Sequence, residues 1–220
     1  MLPIAAVPGG TGNGLAKSVL FECGEECTAL NAVFVGLKGQ TAPLDLSLVT
    51  TTDNQRFHSF LLLGWGLIAD IDLKSEGMRW MGETRLYMAA LYFAVQHKRY
   101  RGRLSFFTGT VPHIISNGAT TAANIPSVVL PPLDQEIDTT TGGWEVLDGA
   151  FLLVWVIQTS HCTTSTYSGP GVHIDDGMFT VFVVEDMSVG ELLHLLVIMD
   201  TGGHINHPKV SQVTQTHPPS

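Results

Sequence analysis

The sequence predicts an α/β fragment followed by a mainly β region. The α/β part rests on a short apolar run at residues 2–7, a glycine-rich loop, and a helical pattern that starts at Leu15. The β part rests on repeated apolar and β-branched runs through the middle and the end of the chain. One strand and one helix cannot cover both faces of a sheet, so we expect the chain to begin inside a domain.

Strand patterns occur after the glycine loop in six stretches. They are residues 32–37, 44–51, 57–72, 100–107, 144–158 and 178–184. The third carries the strongest signal, because its centre is nearly all apolar, as in a strand buried on both faces. Asp148-Gly149 predicts a turn inside the fifth stretch, and Asp176-Gly177 predicts another before the sixth.

Two further helices are predicted. Residues 75–97 place apolar side chains at helical spacing, although Gly82 weakens the beginning of this stretch. Ser188 and Glu191 fit a capping box that opens a helix over residues 189–199.

Two segments have the composition of exposed chain. Residues 116–143 are rich in Ser, Thr, Asn, Pro and Gly, which predicts a loop insertion. The polar tail at residues 208–220 is expected to be frayed.

Composition and charge exclude several classes of protein. Of 220 residues, 45% are hydrophobic and 14% charged, which excludes a disordered tail. A net charge of −9 argues against a general nucleic-acid binder. The basic residues are nevertheless concentrated: seven of eleven lie between Lys74 and Arg103, with only Glu76 and Glu83 against them, a local net charge of +5. This segment predicts a site for an anion.

The cysteines and apolar runs bear on location. Cys23, Cys27 and Cys162 are too few and too irregular for a disulfide framework or a zinc site, so we expect reduced thiols. The Met1 end lacks the basic region of a signal peptide, and no apolar run reaches the roughly 20 residues of a membrane helix. The expected location is cytoplasmic.

The glycine loop is the first candidate for chemistry. Glycines at positions 9, 10, 12 and 14 allow backbone N–H groups to turn toward an anion at a helix start. Leu15-Ala16 stands where a Walker A motif has Lys-Ser/Thr, and the spacing does not fit G-x-G-x-x-G. A phosphate cradle and a simple tight turn both remain open.

Two carboxylates form the second candidate. Asp70 and Asp72 would share one face of a strand. They either end the strand and cap the next element, or hold an ammonium or hydroxyl group at the mouth of a pocket lined by Leu67, Ile68 and Ile71.

Arg79 and Arg85 form the third candidate. They are either a solvated helix face or, with a break at Gly82, two sides of an anion site.

The remaining polar motifs are weak. His204 and His207 form a short H-x-x-H without further ligands nearby, so no metal is predicted. His161 and Cys162 are adjacent, which does not suit a Cys–His nucleophile pair. The absence of G-x-S-x-G argues against a serine hydrolase of the α/β type.

Four stretches together resemble the sphingosine kinases, within the diacylglycerol kinase-like lipid kinase family. They are PGGTGNGLA at 8–16, LGWGLIADIDLKSE at 63–76, RWMGETR at 79–85 and YRGRLSF at 100–106. Weaker similarity extends from Trp144 to about His204. Within the wider family, the W-G-x-x-A-D-x-D form resembles enzymes for sphingosine rather than for ceramide or diacylglycerol.

The resemblance implies an architecture and an activity. Residues 1–31 would end a nucleotide-binding α/β domain, and residues 32–207 would form a C-terminal β-sandwich lipid-binding domain. The implied reaction transfers the γ-phosphoryl group of ATP, with Mg²⁺, to the primary hydroxyl of a sphingoid base and gives sphingosine 1-phosphate. The implied partners are a sphingoid lipid, ATP and, transiently, the membrane surface.

The resemblance also implies residue roles. The nucleotide phosphates would be bound by Gly10, Thr11, Gly12, Arg79 and Arg85. Asp72 would hold the polar head of the sphingoid base. The channel for its alkyl chain would be lined by Leu67, Ile68, Ile71 and His204.

Two motifs of this family have no counterpart in the sequence. The [SG]-G-D-G motif with its general-base Asp is expected upstream of Met1, and the closing D-G-E motif is missing after His204. We therefore expect a chain that is incomplete at both ends and does not catalyse efficiently by itself. The alternatives are a non-catalytic product that binds sphingoid lipid or a partner, and a diacylglycerol or ceramide kinase relative.

Overall fold

The computed structural model describes residues 3–82, 84–107, 137 and 143–214. The helices are α1 (Gly14–Glu22), α2 (Ala29–Lys38), α3 (Leu67–Ser75), α4 (Thr84–Gln96) and α5 (Val189–Ile198). The strands are β1 (Ser47–Thr50), β2 (Arg56–Ser59), β3 (Leu62–Gly66), β4 (Tyr100–Phe107), β5 (Trp144–Phe151), β6 (Leu153–Ile157), β7 (Thr180–Val184) and β8 (Ser211–Thr214). None of the described helices combines the length and the apolar character needed to cross a membrane.

The centre of the fold is a four-stranded antiparallel sheet in the order β3-β6-β7-β8. Apart from Thr180, the residues of its two inner strands are apolar, and they alternate between two hydrophobic clusters. On β6, Leu153, Trp155 and Ile157 join one cluster, while Val154 and Val156 join the other. Such alternation results from the two-residue period of a strand. The inner strands are therefore buried on both faces.

Helices α3, α4 and α5 cover one face of this sheet. In the larger hydrophobic cluster, buried side chains of these helices pack against Trp155 and Phe182 of the sheet. The side chains from the helices and from the turn after α5 are Leu67, Ile71, Ala89, Ala94, Leu192, Leu195 and Met199. The capping box predicted for α5 is confirmed, because Ser188 Oγ accepts from the Glu191 N–H and the Glu191 carboxylate accepts from the Ser188 N–H.

The β4–β5 pair covers the other face. Leu104 and Leu147 pack there against the cluster formed by Phe151, Val154, Val181 and Val183. Trp65 of β3 lies over Gly102 of β4, so closely that a Cβ at Gly102 would collide with the indole ring. A glycine in β4 is therefore required by packing.

Four strand predictions are wrong in detail. No strand covers residues 3–7, and residues 32–37 lie in α2, where the Thr28 hydroxyl accepts from the Asn31 N–H at 3.1 Å and starts a helix. The 57–72 stretch divides into β2, β3 and α3, because the positive φ of Gly66 (78°) turns the chain at the end of β3. Asp148-Gly149 lies inside β5, and the 144–158 strand is interrupted at Leu152 instead.

The C-terminal tail and the domain boundary also differ from what the sequence predicts. Ser211–Thr214 forms the edge strand β8 along β7, because Val213 can pack against the smaller cluster, so this part of the 208–220 tail is not frayed. The predicted boundary between residues 31 and 32 falls within α2. Most of the predicted loop insertion at 116–143 lies outside the described residues.

Shortening single side chains on α5 should test which face of this helix stabilises the fold. Leu192→Ala is expected to lower the free energy of unfolding by about 2–5 kcal/mol, because Leu192 is 1% exposed in the larger cluster. Val197→Ala on the same helix is the control, with an expected change within about 0.5 kcal/mol, since Val197 is 70% exposed. Urea unfolding of both variants measures the difference. Equal losses would contradict the assigned orientation of α5.

Candidate functional site

The glycine loop is organised by the side chain of Asn13. Its Oδ1 accepts from the N–H groups of Gly9 and Gly10, both at 3.0 Å. Its Nδ2 donates to the Gly10 carbonyl at 2.7 Å and to the hydroxyl of Thr164 at 3.2 Å. Both amide hydrogens and both lone-pair directions of Asn13 are therefore used. The side chain faces back into the loop and does not cap α1.

The backbone beyond this network is open. A Cβ placed on Gly9 or Gly12 would meet nothing within 4 Å. Among the described residues, the N–H groups of Thr11 and Gly12 donate to no acceptor. Free amides beside a helix N-terminus fit the phosphates of a nucleotide. Both interpretations of this loop, the phosphate cradle and the tight turn, are compatible with this geometry.

Helix α1 is fastened to residues 159–168. Gly14 lies so close to this segment that a Cβ there would be 2.6 Å from the Cys162 carbonyl oxygen. The buried Ser18 hydroxyl accepts from the His161 N–H at 3.0 Å. Asn13 forms an isolated antiparallel bridge with Thr163. These contacts attach the loop to a segment about 150 residues away in sequence.

The same segment reaches α4 and the short 3-10 helix Met199–Thr201 that follows α5. Tyr87 Oη lies 3.3 Å from Ser165 Oγ and donates to an Asp200 carboxylate oxygen at 3.2 Å. Thr166 donates to the other oxygen of Asp200 at 3.0 Å. Residues 159–168 thus connect the glycine loop with the helices that cover the central sheet.

Asp70 and Asp72 lie on α3 and not on a strand. Side chains two positions apart on an α-helix point in directions about 200° apart, so the predicted shared face is wrong. Asp70 is occupied by an ion pair with Lys74 at 2.8 Å and by a hydrogen bond from the Tyr100 hydroxyl. Burial raises the pKa of Asp70, but the bonds from Lys74 and Tyr100 outweigh it and leave this pKa below its ordinary value.

Asp72 is the more accessible carboxylate. Its side chain is 72% exposed, and one of its oxygens lies 3.9 Å from an Arg85 guanidinium nitrogen. An exposed carboxylate with one loose ionic contact can accept hydrogen bonds from an ammonium or hydroxyl group. Of the two predicted aspartates, only Asp72 is available for a ligand.

The structure brings Arg79 and Arg85 to one carboxylate. Glu76 pairs with Arg79 through one oxygen and lies 3.6 Å from Arg85 through the other. Arg79 is 72% exposed, whereas Arg85 is buried and donates to the Ser75 hydroxyl at 2.7 Å. The buried Nε of Arg85 has no partner among the described residues. An anion that displaced Glu76 would meet both guanidinium groups.

The predicted apolar lining lies in the larger cluster beside the central sheet. Leu67 and Ile71 are buried, and Ile68 packs against them. His204 is 2% exposed and lies against Phe182, with ring centroids 5.0 Å apart. These residues form packed core in the structure, so a lipid chain would have to part the helices from the sheet.

The other histidine motifs serve the fold. His204 Nε2 bonds the Ser168 carbonyl at 3.0 Å, while His207 Nδ1 accepts from the Lys209 N–H at 3.2 Å, so the two rings do not converge. Burial lowers the pKa of His161 to about 4, with help from Lys17, and burial raises the pKa of Cys162 to about 12. A neutral imidazole beside a protonated thiol is not an activated nucleophile. Among the described residues, no three His, Cys, Asp or Glu side chains are grouped to hold a metal ion.

The chain is similar to sphingosine kinases from plants and animals. It is 32% identical to sphingosine kinase 1 of Arabidopsis thaliana in an alignment of 218 positions that covers 96% of this chain and 44% of the relative. It is 28% identical to human sphingosine kinase 1 in an alignment of 220 positions that covers 93% of this chain and 55% of the relative. The chain is a homologue of the sphingosine kinases. It spans about half the length of the curated relatives it matches.

The fold of the chain is similar to part of two solved structures. Two structures of a Bacillus anthracis str. Sterne protein assigned as a diacylglycerol kinase match it with TM-scores of 0.58 and 0.56. They are 15% and 14% identical to it, and the matches cover 97% and 95% of this chain and 57% and 55% of theirs. At this identity the likeness concerns the fold alone. No protein-family model matches the sequence.

Sequence reasoning missed three parts of this site. It did not find Asn13 as the organiser of the loop, Glu76 between the two arginines, or the Tyr100–Asp70 bond. It also gave no role to residues 159–168. The density of Ser and Thr in that segment is the signal that could have shown a polar contact surface.

The pH dependence of stability should report the burial of His161. The His161 imidazole has a pKa near 6.5 in the unfolded chain and about 4 in the folded chain. Its contribution to the free energy of unfolding is therefore complete above pH 6.5 and is lost as the pH falls from 6.5 to about 4. Burial lowers the pKa of His204 in the same direction. His161→Phe, which keeps an aromatic ring between Phe21 and Tyr167, should weaken the loss of urea stability between about pH 7 and 5.5.

The same substitution at His58, which is exposed on β2, is the control. We expect His58→Phe to show the pH dependence of the unsubstituted chain. A curve for His161→Phe that coincides with the control would mean that His161 is not held neutral by the fold.

Proposed function

We propose that this chain is the lipid-binding and phosphate-facing part of a sphingosine kinase. The proposed reaction transfers the γ-phosphoryl group of ATP to the primary hydroxyl of a sphingoid base. The observation that carries it is the 32% identity to a plant sphingosine kinase in an alignment that covers 96% of this chain. The accessibility of Asp72 supports a role for this residue at the substrate head.

The proposed nucleotide contacts come from two places. Gly10, Thr11 and Gly12 would offer backbone N–H groups to phosphate oxygens, while Arg79 and Arg85 would neutralise their charge. The free amides of Thr11 and Gly12 and the Nε of Arg85, which has no partner among the described residues, fit this role. ATP with Mg²⁺ would supply the phosphoryl group, in a transfer that depends on positioning and charge stabilisation.

The proposed substrate contacts come from α3. The Asp72 carboxylate would accept hydrogen bonds from the ammonium and hydroxyl groups of a sphingoid head, which a neutral diacylglycerol head would not match. Leu67, Ile68, Ile71 and His204 would line the alkyl channel once the helices separate from the sheet. The ion pair of Asp70 with Lys74 would hold the start of α3 in place.

The proposed architecture has two parts. Residues up to α2 would end a nucleotide-binding α/β domain, and the elements from β1 onward would form the β-sandwich lipid domain. The two-sided burial of β6 and β7 between the β4–β5 pair and the helices supports the second part. The change of domain is best placed at residues 39–46, which join α2 to β1.

The proposed location is cytoplasmic, with contact to the membrane surface. Helix α4 exposes Met88, Leu91, Tyr92 and Val95 on one side. Basic residues from Lys74 to Arg103 lie before, on and after this helix in sequence, which would favour anionic lipid. A membrane-facing helix would suit an enzyme whose substrate partitions into bilayers.

Substitution of Asp72 tests the proposed function. We expect the purified chain to bind sphingosine, and formation of sphingosine phosphate from labelled ATP and Mg²⁺ is measured alongside. Asp72→Asn should weaken sphingosine binding about tenfold to a hundredfold, because a bond to a charged group is lost. Asp175→Asn, the same change at an exposed position, is the control and should leave the affinity unchanged.

The other outcomes distinguish the alternatives. Formation of sphingosine phosphate would support the proposed reaction. Equal loss of ceramide, diacylglycerol and sphingosine binding in Asp72→Asn would remove the proposed role of Asp72 in choosing the substrate. No binding of any of these lipids would overturn the proposal for this chain.

A further inference from the structure

The hydroxyl of Thr164 holds the glycine loop from two sides. It accepts from Asn13 Nδ2 at 3.2 Å and donates to the Gly12 carbonyl at 3.3 Å. Asn13 in turn closes the first part of the loop through Gly9 and Gly10. A single side chain from a distant segment therefore contacts both the organiser of the loop and the peptide that comes after its free amides.

Thr164 is itself held in place by its neighbours. The Thr163 hydroxyl accepts from the N–H groups of Ser165 and Thr166, at 3.2 and 3.0 Å, which fixes a tight turn around Thr164. The turn is anchored to α4 through Tyr87 and, through Asp200, to the short 3-10 helix that follows α5. The half-buried Thr164 side chain is thus presented from a rigid support.

The loop would otherwise be free to move. Its four glycines carry no side chains, and a Cβ at Gly9 or Gly12 would meet open space. Glycine loses more backbone entropy on ordering than any other residue. Amides that bind a phosphate must be ordered before the ligand arrives if binding is not to bear this cost.

From these contacts we propose that Thr164 is a positioning residue for the nucleotide site. It acts through Asn13 and the Gly12 carbonyl to direct the Thr11 and Gly12 amides, and it touches no ligand itself. Because residues 159–168 also contact α4, the geometry of the phosphate loop is set by the part of the chain that carries the lipid site. The identity of the ligand in this inference rests on the proposed function, whereas the ordering of the loop by Thr164 does not.

Three substitutions at positions 164 and 52 test the inference. Thr164→Val keeps the shape and removes both hydrogen bonds, while Thr164→Ser keeps the hydroxyl. Thr52→Val removes a hydroxyl at an exposed turn position and is the control. The full chain is compared in each case, first by amide hydrogen exchange at residues 9–12 and then by Mg-ATP binding in a calorimeter.

The expected result has two components. In Thr164→Val the Gly9 and Gly10 amides should exchange about tenfold faster, and Mg-ATP affinity should fall about threefold to tenfold. Thr164→Ser should restore both, and Thr52→Val should change neither. The urea midpoint of Thr164→Val should stay close to that of the unsubstituted chain, because the change is local.

Exchange rates and affinity separate the two ways of failing. Unchanged exchange at residues 9–12 in Thr164→Val would overturn the positioning role, whatever the ATP result. Failure of Thr164→Ser to restore the rates would do the same. Faster exchange in a chain that binds no ATP even without substitution would uphold the ordering by Thr164 and contradict the proposed nucleotide site.

Discussion

The need to bury both faces of two adjacent strands organises the described fold. β6 and β7 alternate their side chains between two hydrophobic clusters, so neither face can be left to water. The helices α3, α4 and α5 satisfy one face and the β4–β5 pair satisfies the other. The candidate site depends on this arrangement, because α3 brings Asp72 to the surface only while Leu67 and Ile71 are buried beneath it.

This arrangement also sets the electrostatics of the site. Arg85 is buried beside Ser75, where it would be costly without partners, and Glu76 and Asp72 supply negative charge nearby. Arg79 shares Glu76 but remains in water, where its ion pair contributes little. A phosphate group would therefore meet one arginine held in place by packing and one free to rearrange.

The sequence patterns predicted the features that depend on neighbouring residues, and they did not predict the contacts between distant parts of the chain. The capping box of α5 and the Tyr100–Phe107 strand depend on neighbouring residues and were predictable. The 57–72 stretch was apolar enough for a strand, but Gly66 and the packing of Leu67 against the sheet start a helix there. The contact of Asn13 with Thr164 joins residues 151 positions apart, and no local pattern shows it.

Homology and geometry support different parts of the proposed activity. Identity with sphingosine kinases over half their length identifies the chain's relatives, and it leaves the contribution of each residue to be derived. The geometry selects Asp72 over Asp70, because Lys74 and Tyr100 already occupy Asp70. It also links the glycine loop, through residues 159–168, to Tyr87 of α4 and to Asp200. If the glycine loop binds nucleotide and α3 binds lipid, as proposed, the two sites would be coupled through the structure. Movement of the helices away from the sheet would change the contacts of Tyr87 and Asp200 with residues 159–168, which hold the loop.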